Sequence, residues 1–235
     1  MLNTFYKFNM SLKVLYEDNH IIAVLKVAGD LVQADKTEDE TLADKVKAYI
    51  KKKFNKPGDV YLGIIHRLDR PVGGVIVFAR TSKALVRMNK LFQDKQIQKT
   101  YWAIVESKPP EMEETLVHYL KKNQEKNKSR GYDKEVKGSK RAELDYKLLG
   151  RSKNYYYLVI DPKTGRHHQI RVQLCTAGCI IKGDVKYGGK RTNRDGSIHL
   201  HARSIRFIHP IQDKPLTITA NPPSDPLWDE MLTLA

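Results

Sequence analysis

GIIHRLDRPVGGVIVFAR, residues Gly63 to Arg80, carries the plan of this chain. Two apolar runs of β type, Leu62-Gly63-Ile64-Ile65 and Val75-Ile76-Val77-Phe78, flank a polar segment that holds His66, Arg67, Asp69 and Arg70. The segment closes on Pro71 and Gly73-Gly74, residues that fix or free the backbone and so mark a tight loop between buried strands. An acid is thereby held among cations at the end of a sheet. Neighbouring positive charge and hydrogen bonds favour the carboxylate form, which makes Asp69 a candidate nucleophile or base at neutral pH. From spacing alone the same loop also suits a structural cluster of ion pairs that ties two strands together.

Upstream, Val14-Leu15-Tyr16, the turn Asp18-Asn19-His20 and the run Ile21 to Lys26 predict a strand, a turn and a second strand. Thr37 to Lys53 predicts a helix: Thr37 with Glu40 fits a capping box, lysines crowd the last turn, and Leu42, Val46, Tyr49 and Ile50 form an apolar stripe. Downstream, Thr81-Ser82 caps a second helix with Leu85, Met88, Leu91 and Phe92 on one face, and Lys99 to Val105 reads as a strand. Lys121 to Lys140 is polar, charged and poor in apolar side chains, which predicts a basic loop or hairpin outside the core. Ala142 to Leu149 and Tyr155 to Ile160 are strands about a turn at 150–154.

A second dense polar cluster, Thr164-Gly165-Arg166-His167-His168-Gln169-Ile170-Arg171-Val172-Gln173-Leu174, predicts a loop entering a short helix. Its Ile170 and Leu174 face the core while Gln169, Arg171 and Gln173 lie on other sides. Taken alone it is a phosphate-contacting helix start or a surface turn.

The chain has 235 residues, which suits one large α/β domain or two small ones, and its 42 Lys and Arg against 27 Asp and Glu give a formal net charge of +15. An excess of that size attracts a polyanion, and nucleic acid is the commonest one inside cells. No apolar run is long enough to span a bilayer and the N-terminal residues lack a signal-peptide pattern, so a cytoplasmic protein is expected. The two cysteines, Cys175 and Cys179, read as reduced thiols, with a zinc site needing further ligands such as His167 or His168. The eight histidines show no spacing that encloses a metal, and a metal-dependent nuclease lacks its carboxylate cluster.

HRLD followed by a short loop and a Gly resembles the signature of the RluA-type pseudouridine synthase family, and the resemblance extends along nearly the whole chain. Leu25-Lys26-Val27-Ala28-Gly29 stands where that family has Asn-Lys-Pro-Ala-Gly, and Lys99-Thr100-Tyr101 matches its Lys-x-Tyr. The stretch Thr164 to Val172 matches Thr-Gly-Arg-x-His-Gln-hydrophobe-Arg-Val, and Gly178 to Gly188 resembles Gly-x-Pro-Ile-x-Gly-Asp-x-x-Tyr-Gly with Ile180 in place of Pro. Leu200-His201-Ala202 and His209-Pro210 resemble the closing strand, with structural histidines. One departure lies beside the acid: Val72-Gly73-Gly74 stands where Thr-Ser-Gly is common, a loss of two hydroxyls that bears on loop geometry and substrate choice.

The resemblance implies an α+β fold, a mixed and mostly antiparallel central sheet flanked by helices, with a cleft across its middle and Asp69 on the floor. It implies one catalytic domain over residues 1–235 with 121–140 as a basic insertion, no N-terminal S4-type module, and RNA contacts made by the catalytic domain itself. The implied catalytic residues are Asp69, Tyr101 and Arg171: the nucleophile, the side chain that packs on the base, and the partner of the acid. Arg67 fills the gap left by an extruded uridine and Ile181 lines the uridine pocket. His66, Arg70, Lys99, Arg166, His168 and Gln169 are assigned to substrate or RNA binding. The implied activity is isomerisation of a uridine in ribosomal or transfer RNA by a monomer, with neither cofactor nor metal. A non-catalytic RNA- or ribosome-binding module that keeps the fold is the alternative, although such a module has no need of the Asp69, Tyr101 and Arg171 trio.

Overall fold

The computed structural model describes residues 12–34 and 39–234. Apolar alternation builds its strands in chain order. β1 (Val14–Glu17) and β2 (Ile21–Lys26) form a hairpin, and the two-residue β3 (Gly63–Ile64) precedes β4 (Gly73–Ala79). β5 (Gln98–Val105) is followed by β6 (Glu113–Asn123), β7 (Lys128–Tyr132), β8 (Lys140–Arg151) and β9 (Tyr156–Pro162). β10 (Leu200–Ile208) and β11 (Pro215–Thr219) close the sheet. Among the described residues four α-helices accompany them, α1 (Leu42–Lys53), α2 (Ser82–Gln93), α3 (Gln169–Thr176) and α4 (Pro226–Leu234), with a single 3-10 turn at Val185–Tyr187.

Among the described residues the strands form a single sheet in the order β1-β2-β4-β10-β5-β9-β8-β6-β7, with β11 added to β10 and β3 to β4. Every pairing is antiparallel except β4 with β10. The fold is therefore the expected α+β arrangement with a mixed, mostly antiparallel sheet.

Period-two alternation sends successive side chains to opposite faces, and each face is covered. Ile22 and Val24 pack with Leu42, Val46 and Ile50 of α1 and with Ile170 and Leu174 of α3. Ile21 and Ala23 turn the other way, toward Ala84 and Met88 of α2. In β5, Trp102 and Ile104 meet Trp228 and Met231 of α4 while Ala103 and Val105 join the α1 side. Burying each large aliphatic side chain in these layers contributes about 1.5–3 kcal/mol.

The parallel junction of β4 and β10 is the point from which the HRLD loop hangs. Its register pairs His201 with Gly73 and Ala202 with Gly74. Gly74 has φ +126°, and a Cβ there would lie 2.3 Å from the Ala202 carbonyl oxygen, so only glycine lets the two backbones meet.

Three local expectations change. The first helix starts at Leu42, where Thr41 makes the reciprocal cap: its hydroxyl accepts from Asp44 N at 3.1 Å, and the Thr41 N–H donates to the Asp44 carboxylate at 3.2 Å. Thr37 lies outside the described residues. The turn expected at 150–154 shifts to 152–155, since β8 pairs with β9 through Gly150 and Arg151. In α3 the polar residues Gln169, Arg171 and Gln173 are as buried as Ile170 and Leu174, because the helix packs against β6 and β7 of the sheet and against residues 185–187. Among the described residues no helix is long and apolar enough to cross a membrane.

Candidate active site

A cleft of about 990 Å³ runs between the HRLD loop, the loop entering α3, and the start of β5. Asp69 lies in it, reached by one guanidinium nitrogen of Arg171, Nη1 donating to Oδ2 at 2.9 Å. The remaining edge of Arg171 is occupied by Asp184: Nε donates to Oδ2 and Nη2 to Oδ1, both at 2.7 Å. Burial alone would lower the Arg171 pKa, but the hydrogen-bonded Asp184 and Asp69 carboxylates outweigh it and hold the pKa above its ordinary value. A planar fork fixed on one side is thus aimed at the acid on the other.

The loop that carries Asp69 is held from beneath by Lys26. This side chain is fully buried, and its Nζ donates to the carbonyls of Val27 at 3.1 Å, Arg70 at 3.0 Å and Val72 at 2.7 Å. The three protons of an ammonium match the three acceptors. Burial pushes its pKa down to about 8, with the Asp30 and Asp69 charges opposing. The sequence signal for it is the Lys retained in the Leu25 to Gly29 loop, to which periodicity alone gives no role.

Tyr101 lines the same cleft, and burial followed by the Asp69 charge raises its pKa, so its phenol stays protonated. Arg67 is exposed at the rim and makes no ion pair among the described residues. Lys99 and Arg166 also line the cleft; burial lowers the Lys99 pKa, and the Arg166 Nε donates to Arg141 O at 3.0 Å. His168 Nε2 faces Asp69 Oδ2 at 3.7 Å.

Other expected residues make bonds within the fold, His66 and Gln169 while lining the cleft, Arg70 and Ile181 outside it. His66 accepts from Val77 N through Nε2 at 3.1 Å and packs on Phe92, and burial pushes its pKa down to about 4, so it pins the loop to β4 as a neutral ring. Gln169 is spent inside its own loop: Oε1 accepts from Thr164 Oγ1 and Arg166 N, and Nε2 donates to Glu143 O. Arg70 points away from the cleft and pairs with Asp39 at 3.2 Å. Ile181 is 1 % exposed within the main core, bridged to Val105. The apolar walls of the cleft come instead from Ile65, Leu68, Val72, Ile97, Ile170 and Leu200. Among the described residues no three His, Cys, Asp or Glu side chains converge as metal ligands, and Cys175 and Cys179 are free thiols.

A family model described as RNA pseudouridylate synthase matches residues 20–176, which include Asp69, Tyr101 and Arg171. The chain belongs to the RNA pseudouridylate synthase family. It is an RNA pseudouridine synthase, an isomerase. Among the relatives, the ribosomal large subunit pseudouridine synthase C of Buchnera aphidicola is 33% identical over 230 residues, covering 94% of this chain and 70% of that protein. The tRNA pseudouridine synthase C of Vibrio cholerae is 31% identical over 247 residues, with 94% and 95% covered. The solved structure of human RNA pseudouridylate synthase domain containing 4 superposes with a TM-score of 0.76 at 21% identity, covering 94% of this chain and 92% of that one, which is a likeness of fold. Within this pseudouridine synthase, the matched segment runs from the Asp18-His20 turn to the end of α3 and so spans the cleft.

Proposed function

We propose that this pseudouridine synthase isomerises an unpaired uridine of structured ribosomal or transfer RNA in the Asp69 cleft, with Asp69, Tyr101 and Arg171 as its catalytic residues. The observation that carries the reading is the pair of Asp69 and Arg171, 2.9 Å apart in a cleft rimmed by exposed cations. The relatives named for ribosomal large-subunit and for tRNA modification both align along 94% of the chain, so both RNA classes belong to the proposal.

The reaction conserves all its atoms. The N1–C1′ bond of uridine breaks, a C5–C1′ bond forms, C5 gives up its proton and N1 gains one. No outside reactant is consumed. The target nucleotide must leave its stack, and extrusion costs a few kcal/mol less when the uridine is unpaired. Arg67, long and exposed at the rim, suits the gap that the nucleotide leaves. Asp69 supplies the carboxylate, and Arg171 orients it and balances its charge. Tyr101 keeps its proton, which suits it to pack on the uracil and donate a hydrogen bond rather than to act as the base. Lys99 and Arg166 offer charge to flanking phosphates. The proposal includes action as a monomer in the cytoplasm, checked by light scattering and by fractionation.

The test is pseudouridine mapping, by carbodiimide labelling and reverse-transcription stops, on RNA from cells with and without the gene. A stop that vanishes on deletion, returns with the wild type and fails to return with Asp69→Asn identifies the substrate and assigns the acid. Asp69→Asn that restores the stop removes Asp69 from the mechanism. Tight, salt-sensitive RNA binding with no site altered in any RNA favours a non-catalytic module.

A further inference from the structure

The 121–140 segment forms a hairpin whose β6 pairs with β7 from Tyr119↔Tyr132 to Asn123↔Lys128. It does not stand apart from the cleft. Gly131 lies so close to α3 that a Cβ there would come 2.5 Å from Thr176 Oγ1, so the strand rests directly on the helix that carries Arg171. Three consecutive residues of the hairpin reach His167 of the loop entering α3 or Tyr187 beside it. Asn127 Oδ1 lies 3.1 Å from His167 Nε2, Lys128 Nζ lies 5.0 Å from the centre of the Tyr187 ring, and Ser129 bonds twice, through Oγ to His167 Nδ1 at 2.9 Å and through its backbone N–H to Tyr187 OH at 3.0 Å. His167 in turn stacks on His168, ring centres 3.8 Å apart.

The proton positions in this chain follow from the donors. A backbone N–H only donates, so the Tyr187 oxygen accepts from Ser129; of the two arrangements open to the Tyr187–His168 pair, 2.8 Å apart, the one that also gives the phenol proton an acceptor places that proton toward His168 Nδ1. Burial pushes the Tyr187 pKa up to about 12, which keeps that proton in place. His168 then carries its own proton on Nε2, the nitrogen that faces Asp69 Oδ2 at 3.7 Å. Burial pushes the His168 pKa down to about 3 against the pull of Asp69, so the ring is neutral. Its backbone is left-handed, φ +55°, at the cap of α3, and the imidazole is thus held by the turn, by the stack and by Tyr187.

We propose that His168 is a positioning residue for Asp69: Tyr187 fixes it in the Nε2–H tautomer and the Ser129 backbone of the RNA-facing hairpin fixes Tyr187, so that the seat of the hairpin on α3 sets the second hydrogen-bond donor to the catalytic carboxylate. Arg171 is the first such donor. The separation of 3.7 Å is longer than a hydrogen bond, and bonds of this kind tighten when substrate fills the site. The inference rests on the reading of Asp69 as the reactive acid, and its consequence is that RNA gripped by the hairpin is felt at the carboxylate.

Two measurements test it. The first needs no turnover: nitrogen-15 spectra of histidine-labelled protein, with the His168 ring identified by its loss in His168→Gln, should show Nε2 protonated and Nδ1 bare, and Tyr187→Phe should move the ring toward a mixture of tautomers. A bare Nε2, or an imidazolium at pH 7, overturns the proposal. The second is single-turnover tritium release from the mapped RNA transcribed with uridine labelled at C5. Tyr187→Phe keeps the ring against Arg171 and should slow release about 10-fold and His168→Ala about 100-fold, with RNA affinity within about 2-fold of wild type. His168→Gln bears the same left-handed strain as His168→Ala but offers an N–H toward Asp69, and should recover to within about 5-fold of wild type. Equal loss in Gln and Ala, or an unchanged rate in Tyr187→Phe, sinks the proposal. Absence of release by the wild type from every RNA defeats the assignment of function instead, while the spectra still decide the tautomer.

Discussion

The guanidinium of Arg171 is clamped edge-on by the carboxylate of Asp184, with two bonds of 2.7 Å, and both side chains are almost wholly buried. Asp184 never touches the cleft, yet it decides where the third nitrogen of Arg171 points. Asp184→Asn should therefore disturb Asp69 from a distance. Removing one charge of a buried pair costs about 3–5 kcal/mol, or roughly 6–12 °C in Tm for a chain of this size. Turnover should fall about 100-fold when the fork is no longer held. Thermal melts and single-turnover rates check this, and Arg171→Lys, which retains charge without the fork, should lose activity comparably.

Lys26 should behave as part of the same apparatus although it lies under the loop. Lys26→Met leaves the Val72 carbonyl without its donor, a loss of about 1–3 kcal/mol, and loosens the backbone that presents Asp69. The expected outcome is a folded protein with a lower urea midpoint and kcat reduced about 10- to 100-fold. A melt and a rate that both match wild type would remove Lys26 from the positioning of Asp69.

The pKa of Lys26 gives pH dependence with two opposite signs. Its folded value of about 8 is below the ordinary 10.5, so between these pH values the unfolded chain binds more protons than the folded one. Burial of the protonated lysine opposes folding fully below about pH 8, and this penalty is relieved as pH rises toward 10.5. Stability attributable to Lys26 thus increases with pH while its grip on three carbonyls weakens. Activity should fall above about pH 8 with no accompanying drop in the urea midpoint, and the limb should be missing from the residual activity of Lys26→Met.

Gly74→Ala should be disproportionately harmful for a single methyl group. The added carbon meets the Ala202 backbone at φ +126°, at the one parallel junction of the sheet. Strain and overpacking together should cost about 2–4 kcal/mol. Denaturant unfolding measures it, and a variant as stable as wild type would show that the two strands can part there.

The exposed lysines at the tip of the hairpin should act through charge alone. Lys121, Lys122 and Lys126 are exposed and take no part in the bonds that Asn127 and Ser129 make to the histidine loop. Replacing all three by Ala should weaken RNA binding and reduce the salt slope by roughly 0.7–0.9 for each phosphate that is no longer neutralised. An unchanged slope would make this end of the hairpin a solvated surface.

Much of this was legible along the chain because it is written in local patterns. The unbroken apolar runs Ile21 to Val24 and Val75 to Phe78 specify strands buried on both faces, Thr81 specifies the cap of α2, and HRLD, the Lys99-Thr100-Tyr101 triplet and the Thr164 to Val172 cluster single out Asp69, Tyr101 and Arg171. By itself the sequence determined β1, β2, β4, β5, β8 to β10 and α1 to α3, the basic character and the family, since each depends on neighbours in the chain or on a motif with fixed spacing; β6, β11 and α4 were not read from it. Only the tertiary structure decided which polar groups face the cleft. Lys26 and Asp184 meet their partners 44 and 13 residues away, Gln169 and Ile181 turn inward, Arg70 turns outward, and a hairpin residue, Ser129, touches Tyr187 across 58 positions. Burial and hydrogen-bond partnership are properties of how elements pack, so periodicity and local motifs leave them open until the sheet and α3 close on one another.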